Sequence, residues 1–234
     1  MHRRLAPGGM EGVGYRYRVV LWDLDGTLLN TLPFIYGLIG ECLEEAGHAP
    51  ATTAEIGAML GPPEEEVLTE RLGHQFADRF TVRYREYLEM QGPALVPDPL
   101  LSLLEKLQGH GIKMGIITNK SRRLAQASVQ AAGLQRFFDP VVSGGLGVGL
   151  KPDPDGIRYA LRYLHEEPAG TLMIGDQAAD LAAAAAAQVH VVHARWFADP
   201  RGMAHQCASD CEHMTRLEDR LVVSPPSRRR EVGP

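Results

Sequence analysis

The chain has 234 residues, 44% of them hydrophobic, enough for one ordinary domain with a modest insertion and a sizeable core. That composition excludes global disorder and a miniature fold stapled by disulfides. Its 24 basic and 29 acidic residues leave a formal charge of -5, so there is no general electrostatic pull toward nucleic acid or an anionic membrane.

Residues Met1 to Tyr17 mix glycine, arginine and proline without periodicity and are expected to form a flexible segment, 1–17. The opening MHRRLAPGGMEG lacks the apolar stretch of a secretory signal, and no later run approaches about 18 apolar residues. The three cysteines, Cys42, Cys207 and Cys211, cannot all pair within one chain. A soluble protein of a reducing, cytoplasmic compartment is therefore expected, with neither membrane nor nucleic acid as partner.

At Arg18 the sequence changes to RVVLWDLDGT, a short apolar run ending in carboxylates and glycine, and Arg18 to Trp22 is predicted as a buried strand. From Leu32 to Pro97 the spacing turns helical, in FIYGLIGECLEEAG, TAEIGAML, EEEVLTERLG and FADRFTVRYREYLEM, punctuated by glycine and proline. Strand-like runs return in GIKMGIITNK, TLMIGD and VHVVH, alternating with helical LAQASVQAAGL, GIRYALRYLH and DLAAAAAAQ. Alternation of this kind predicts an α/β fold with a Rossmann-like parallel sheet. The expected division is a core over 18–31 and 98–223, a helical cap inserted at 32–97, and a flexible carboxyl-terminal tail at 224–234. An insertion just after the first strand can cover the carboxyl ends of the strands, where open parallel sheets place their sites.

The residues that carry chemistry fall at predicted strand ends. Asp23 and Asp25 flank Leu24 beyond the first strand, and Gly26 permits close approach of a phosphate. Asp176 follows TLMIG, and Asp180 lies one helical turn on, so the four carboxylates can converge on a hard cation such as magnesium. Thr118 and Asn119 end GIKMGIITN and can donate to oxyanions, while Lys151 offers a compact positive charge. Taken singly, these residues also suit helix caps, turns and solvated surface. Their ordered combination points to phosphate binding.

In that order, DLDGTLLN, TNK, KPDP and GDQAAD make the chain resemble the haloacid-dehalogenase-like (HAD) phosphatase superfamily, particularly its phosphoglycolate-phosphatase-like branch with a helical cap, from Val19 to about Val192. The resemblance implies a magnesium-dependent hydrolase of small-molecule phosphate monoesters, phosphoglycolate-like substrates preferred. It implies Asp23 as nucleophile forming an aspartyl-phosphate, and Asp25 as acid and base. Thr118 would hold the transferring phosphoryl oxygens, Asn119 would shape the loop beside it, and Lys151 would offset charge and orient Asp23. Magnesium would meet the Asp23 carboxylate, the Asp25 backbone carbonyl and Asp176, with Asp180 holding a metal-bound water or Lys151 from one layer out. Two departures bear on specificity: Asn30 stands where members often carry Asp, and HARWFADP replaces a common aromatic-glycine pattern.

Weaker features remain. Arg71, Arg79, Arg83 and Arg85 can reach a second anionic group of the substrate, although solvated helix surface is their ordinary place. Trp196 and Phe197 suit either a pocket gate or packing of the last loop. His205, Cys207, Cys211 and His213 present four zinc-compatible ligands with an unusual spacing. A pyrophosphatase or nucleotidase, a sugar-phosphate phosphomutase using the same Asp23 and Asp25, and a noncatalytic phosphate- or protein-binding module are the alternatives.

Overall fold

The computed structural model describes residues 14–197, 217 and 221–223. The His205, Cys207, Cys211 and His213 cluster and the tail at 224–234 lie outside the described residues. Five strands, β2 (Val19–Trp22), β3 (Lys113–Ser121), β4 (Val141–Gly144), β5 (Thr171–Gly175) and β6 (His190–His193), form one sheet in the order β4-β3-β2-β5-β6. Every neighbouring pair in it is parallel. A separate two-stranded pair joins β1 (Gly14–Tyr15), inside the stretch expected to lack regular structure, to β7 (Val222–Val223).

Strand β2 is central because it can be buried on both faces. Its four residues are VVLW, all buried, with Val19 to Trp22 in register against Lys113 to Ile116 on one side and Thr171 to Ile174 on the other. Alternation then divides the core in two. Val19 and Leu21 join Ile157 and Ala160 of α7 (Asp155–Leu164) and Ala183 and Ala184 of α8 (Ala178–Ala186). Val20 and Trp22 face the opposite cluster, with Leu104 of α5 (Asp98–Gly109) and Leu124 of α6 (Arg122–Ala131). The alanine run of α8 lets its axis lie close to the sheet, as small side chains do.

Between β2 and α5 come four α-helices: α1 (Leu32–Glu45), α2 (Thr53–Met59), α3 (Glu64–Leu72) and α4 (His74–Gln91). Helix α2 starts in a capping box of Thr52 and Glu55, and α3 carries Glu64, Glu65 and Glu66 in its first turn, where the helix dipole favours acid. The chain leaves and re-enters the sheet region at neighbouring points, since the Asn30 amide donates to the Leu95 carbonyl at 3.0 Å. Among the described residues no helix is long and apolar enough to cross a membrane.

One irregularity bears directly on the site. Ile117 pairs with Val142 but Ser121 pairs with Gly144, so four steps along β3 match two along β4. The three residues between, Thr118 to Lys120, stand opposite the single Ser143 and bulge at the carboxyl end of β3, and a bulge re-aims side chains that a regular strand would send to alternate faces.

Candidate active site

The carboxyl end of β2 sets the first carboxylate. Asp23 donates its amide to the Ile174 carbonyl at 2.8 Å, which fastens the residue to β5, and its side chain is buried. The chain then turns back, with the Leu28 and Leu29 amides both donating to the Leu24 carbonyl at 2.9 Å. Gly26 makes the turn at φ +84°, and a Cβ there would stand 2.6 Å from both Asp176 Oδ2 and Leu32 Cδ1. Glycine is required on both counts. Thr27 Oγ1 donates to Asp176 Oδ1 at 2.9 Å, so the first loop also orients a carboxylate of the loop after β5.

Lys151 joins the pieces. Its Nζ donates to Asp23 Oδ1 and Asp180 Oδ1, each at 2.5 Å, and to the Ile117 carbonyl at 2.8 Å, which uses all three ammonium protons. Burial works to lower the affinity of Lys151 for its proton, but Asp180 and Asp23 outweigh it and hold the lysine above its usual range. Burial pushes the Asp23 carboxyl well up; Lys151 opposes this, and Asp180 and Asp176 add to it. Burial, then Asp180, pushes Asp176 up to about 6. Asp180 also accepts the Gln177 amide on Oδ2 at 2.8 Å, so both its oxygens are bound by protein. Close packing places it there: a Cβ on Gly175 would fall 2.3 Å from Asp180 Cγ.

Thr118 and Asn119 sit in the β3 bulge. Thr118 lines the cavity beside Asp23 and accepts the Lys120 amide on Oγ1 at 3.2 Å. Asn119 spends its amide on protein: Nδ2 donates to the Gly61 and Lys151 carbonyls at 2.7 and 2.8 Å, and Oδ1 accepts the Lys151 amide at 2.8 Å. It therefore fixes the lysine's backbone and ties the loop before α3 to the sheet.

The surroundings of Asp25 were not read from the sequence. Its Oδ1 accepts the hydroxyls of Thr31 at 2.6 Å and Tyr84 at 3.0 Å, and Lys120 Nζ lies 3.1 Å from its Oδ2. Thr31 occupies the cap position of α1 without making a side-chain cap, its hydroxyl being directed to Asp25 instead. Lys120 also donates to Glu64 Oε1 at 3.0 Å and lies 4.2 Å above the Tyr84 ring centroid. Burial disfavours the Lys120 charge, yet Asp25 and Glu64 raise its proton affinity well above the usual lysine range. Lys120 stood in view within TNK, but alternation along a strand gives no warning that a bulge turns it inward.

These groups open on a cavity of about 270 Å³, walled on the apolar side by Leu32, Ile35, Leu60 and Pro62. None of Arg71, Arg79, Arg83 and Arg85 lines it. Arg79 pairs with Glu45 and Arg83 with Glu41, Arg71 is exposed, and Arg85 lines a separate groove with Leu88 and Ala127. Paired or exposed, the four arginines lie outside the cavity, in the solvated surroundings ordinary for arginine. Trp196 is buried, with Nε1 donating to the Thr27 carbonyl at 2.8 Å, so it packs the first loop rather than gating the pocket.

Carboxylate oxygens of Asp23, Asp176 and Asp180 lie within 4.8 Å of one another, an all-oxygen donor set of the kind hard divalent cations take. Asp180 is engaged by Lys151 and the Gln177 amide, and Asp176 by Thr27 on Oδ1 and the Gln177 side chain on Oδ2 at 2.7 Å, so a cation would share the Asp176 carboxylate with these donors.

The geometry agrees with what the chain resembles. A family model described as haloacid dehalogenase-like hydrolase matches residues 20–194. A phosphoglycolate phosphatase of Aquifex aeolicus is 28% identical over 186 residues, covering 76% of this chain and 85% of that one. The pyrophosphatase PpaX of Oceanobacillus iheyensis is 27% identical over 181 residues, covering 76% and 84%. The solved structure of CbbY from Rhodobacter sphaeroides, in complex with xylulose-(1,5)bisphosphate, shares the fold with a TM-score of 0.66 at 21% identity, covering 84% of this chain and 96% of that one.

Proposed function

Since the chain belongs to the haloacid dehalogenase-like hydrolases, we propose that it hydrolyses small phosphate monoesters in two steps through an aspartyl-phosphate on Asp23, with magnesium as its cation. The observation that carries this reading is Lys151 Nζ bridging Asp23 and Asp180, with Asp176 and Thr118 beside them. A nucleophilic carboxylate must meet a dianionic ester, and a buried ammonium on the nucleophile lowers that repulsion.

In the first step an Asp23 oxygen attacks phosphorus, the ester P–O bond breaks, and Asp25 gives its proton to the departing alkoxide. In the second, Asp25 takes a proton from water, the water oxygen attacks phosphorus, and the Asp23–phosphorus bond breaks to release inorganic phosphate. Thr118 binds the transferring oxygens, Lys151 offsets their charge and orients Asp23, and Asn119 keeps the Lys151 backbone in place. Asp23, Asp176 and the Asp25 backbone carbonyl are the groups that would hold magnesium, with Asp180 supporting from one layer out. Bound there, the cation would neutralise charge on the phosphoryl group and the carboxylates.

Helices α1 to α4, residues 32–97, are read as a cap on a core of 18–31 and 98–223. The unpairable cysteines suit a cytoplasmic enzyme. Phosphoglycolate is the preferred substrate, following the relative that bears that name. Pyrophosphate is the second, since a pyrophosphatase is similar to nearly the same extent.

The test is phosphate release from phosphoglycolate, pyrophosphate, nucleotides and sugar phosphates, paired with acid-quench detection of phosphorylated protein. Wild type should form the phosphoryl-enzyme and Asp23→Asn should not. A phosphoryl-enzyme on Asp23→Asn at the normal level refutes the nucleophile.

A further inference from the structure

A general acid acts only when its proton points at the leaving oxygen, so what holds Asp25 is part of its chemistry. Four groups converge on this carboxylate and its partners. Thr31 and Tyr84 share Oδ1, Lys120 sits against Oδ2, and Glu64 holds the far side of Lys120. Tyr84 belongs to α4 and Glu64 to the first turn of α3, whereas Lys120 stands in the β3 bulge. Ser121, the next residue, donates to Glu65 Oε1 at 2.7 Å, so the start of α3 is docked on the end of β3 by two side chains.

Lys120 is 1% exposed at its side chain, and Glu64 is buried too. A lysine needed merely as a counterion for Glu64 would have no reason to reach a second carboxylate across the cavity wall. With one ammonium shared between Asp25 and Glu64, withdrawal of α3 removes a partner from Lys120 and frees it to move off Asp25. Tyr84 would leave Oδ1 with the same helices.

We propose that Lys120 is a positioning residue, which through Glu64 makes the aim of the Asp25 carboxyl depend on docking of helices α3 and α4. The inference rests on Asp25 being the acid. It assigns Lys120 no bond to the reacting atoms. Its work is to hold Oδ2 so that the proton faces the leaving group when the helices are seated, and to release that alignment when they are not.

The test uses leaving groups of different need. Departure of p-nitrophenolate requires little protonation, whereas an alkoxide such as that of glycerol phosphate requires it, and kcat/KM for both esters reports the step in which the leaving group departs. Lys120→Met should lower kcat/KM on the alkyl ester about 100-fold but on p-nitrophenyl phosphate less than about 5-fold. Glu64→Gln should show the same bias at about 10-fold on the alkyl ester, and Lys120→Arg should recover part of the loss. If Lys120→Met does not fold, by circular dichroism and thermal melting, Glu64→Gln decides. Equal losses on the two esters, or no loss, overturn the proposal, because a purely structural lysine has no reason to distinguish leaving groups. Asp25→Asn fixes the scale: a strong bias there with none at Lys120 or Glu64 overturns this inference alone. Absence of bias in Asp25→Asn overturns the assignment of the acid and the inference with it.

Discussion

Lys151 Nζ lies 2.5 Å from Asp23 Oδ1, although 128 positions separate the two residues in the chain. The contact is buried, and Asp180 shares the same ammonium. Replacing Lys151 by Met leaves two carboxylates in a dry site without their cation, a change that costs about 3–5 kcal/mol when a buried pair loses one partner. Lys151→Met should therefore show a lower urea midpoint together with at least a roughly 100-fold loss of turnover. A variant of normal stability would contradict the burial argument, and one of normal turnover would contradict the assigned role.

Chelation separates the cation from the protein groups. Treatment with EDTA should abolish phosphate release, and excess magnesium should restore it where an equal ionic strength of sodium chloride does not. The cation should also raise the melting temperature, by an amount corresponding to about 2.7 kcal/mol at a hundred times its dissociation constant. Full hydrolysis in EDTA would sink the magnesium reading.

Gly26→Ala tests the tightness of the first loop. The new methyl would meet Asp176 Oδ2 and Leu32 Cδ1 at 2.6 Å on a backbone with φ +84°. A loss of roughly 1–3 kcal/mol is expected from the conformation alone, and weaker magnesium binding should accompany it as Asp176 is displaced. Isothermal titration with magnesium beside a denaturation curve checks both, and unchanged values of each would show that the turn relaxes without strain.

At the opposite end of the sheet, Glu166 accepts from Arg18 Nε at 2.8 Å and Lys113 Nζ at 3.0 Å. Arg18, then Lys113, holds its carboxyl below the usual range. The folded state thus binds this proton more weakly than the unfolded chain, so the ties stabilise at neutral pH and their contribution is lost as pH falls from the ordinary carboxylate value through the lowered one. Glu166→Gln should lower the melting temperature slightly at pH 7, converge with wild type in acid, and leave kcat unchanged. A constant gap at every pH would point to packing instead of charge. The cations are half-exposed, which keeps the effect small and sensitive to salt.

Much of the architecture was legible where one physical demand dominated. The apolar run read as a buried strand from Arg18 to Trp22 is β2, one residue shorter, and the glycine and proline breaks from Gly47 to Pro93 divided four helices within a few residues of their observed ends. Strand β4, VVSG, and α5 were not anticipated: the strand offers only two apolar residues before Ser143 and Gly144, and the helix begins on Asp98–Pro99, where proline punctuates the pattern. Asp23, Asp25, Thr118 and Asp176 are legible as candidates because each stands near the end of a predicted strand, whereas Asp180 follows from its one-turn spacing to Asp176 and Lys151 from its place in KPDP. Lys120, Glu64 and Tyr84 are not, because their meeting depends on a bulge and on how two helices seat over the sheet. Arg79 and Arg83 showed the converse, a plausible charge pattern that the fold satisfies with Glu45 and Glu41.

The hydrogen bond from the Asn30 amide to the Leu95 carbonyl gives the inserted helices a closed neck. A segment whose two ends meet can be lengthened, shortened or exchanged without moving the strands it interrupts, because its closure is already satisfied at the base. The insertion is thereby separable from the strands but not from the acid beneath it, and a transplanted one would need to bring, with its own pocket wall, a hydroxyl for Asp25 and an acid for Lys120.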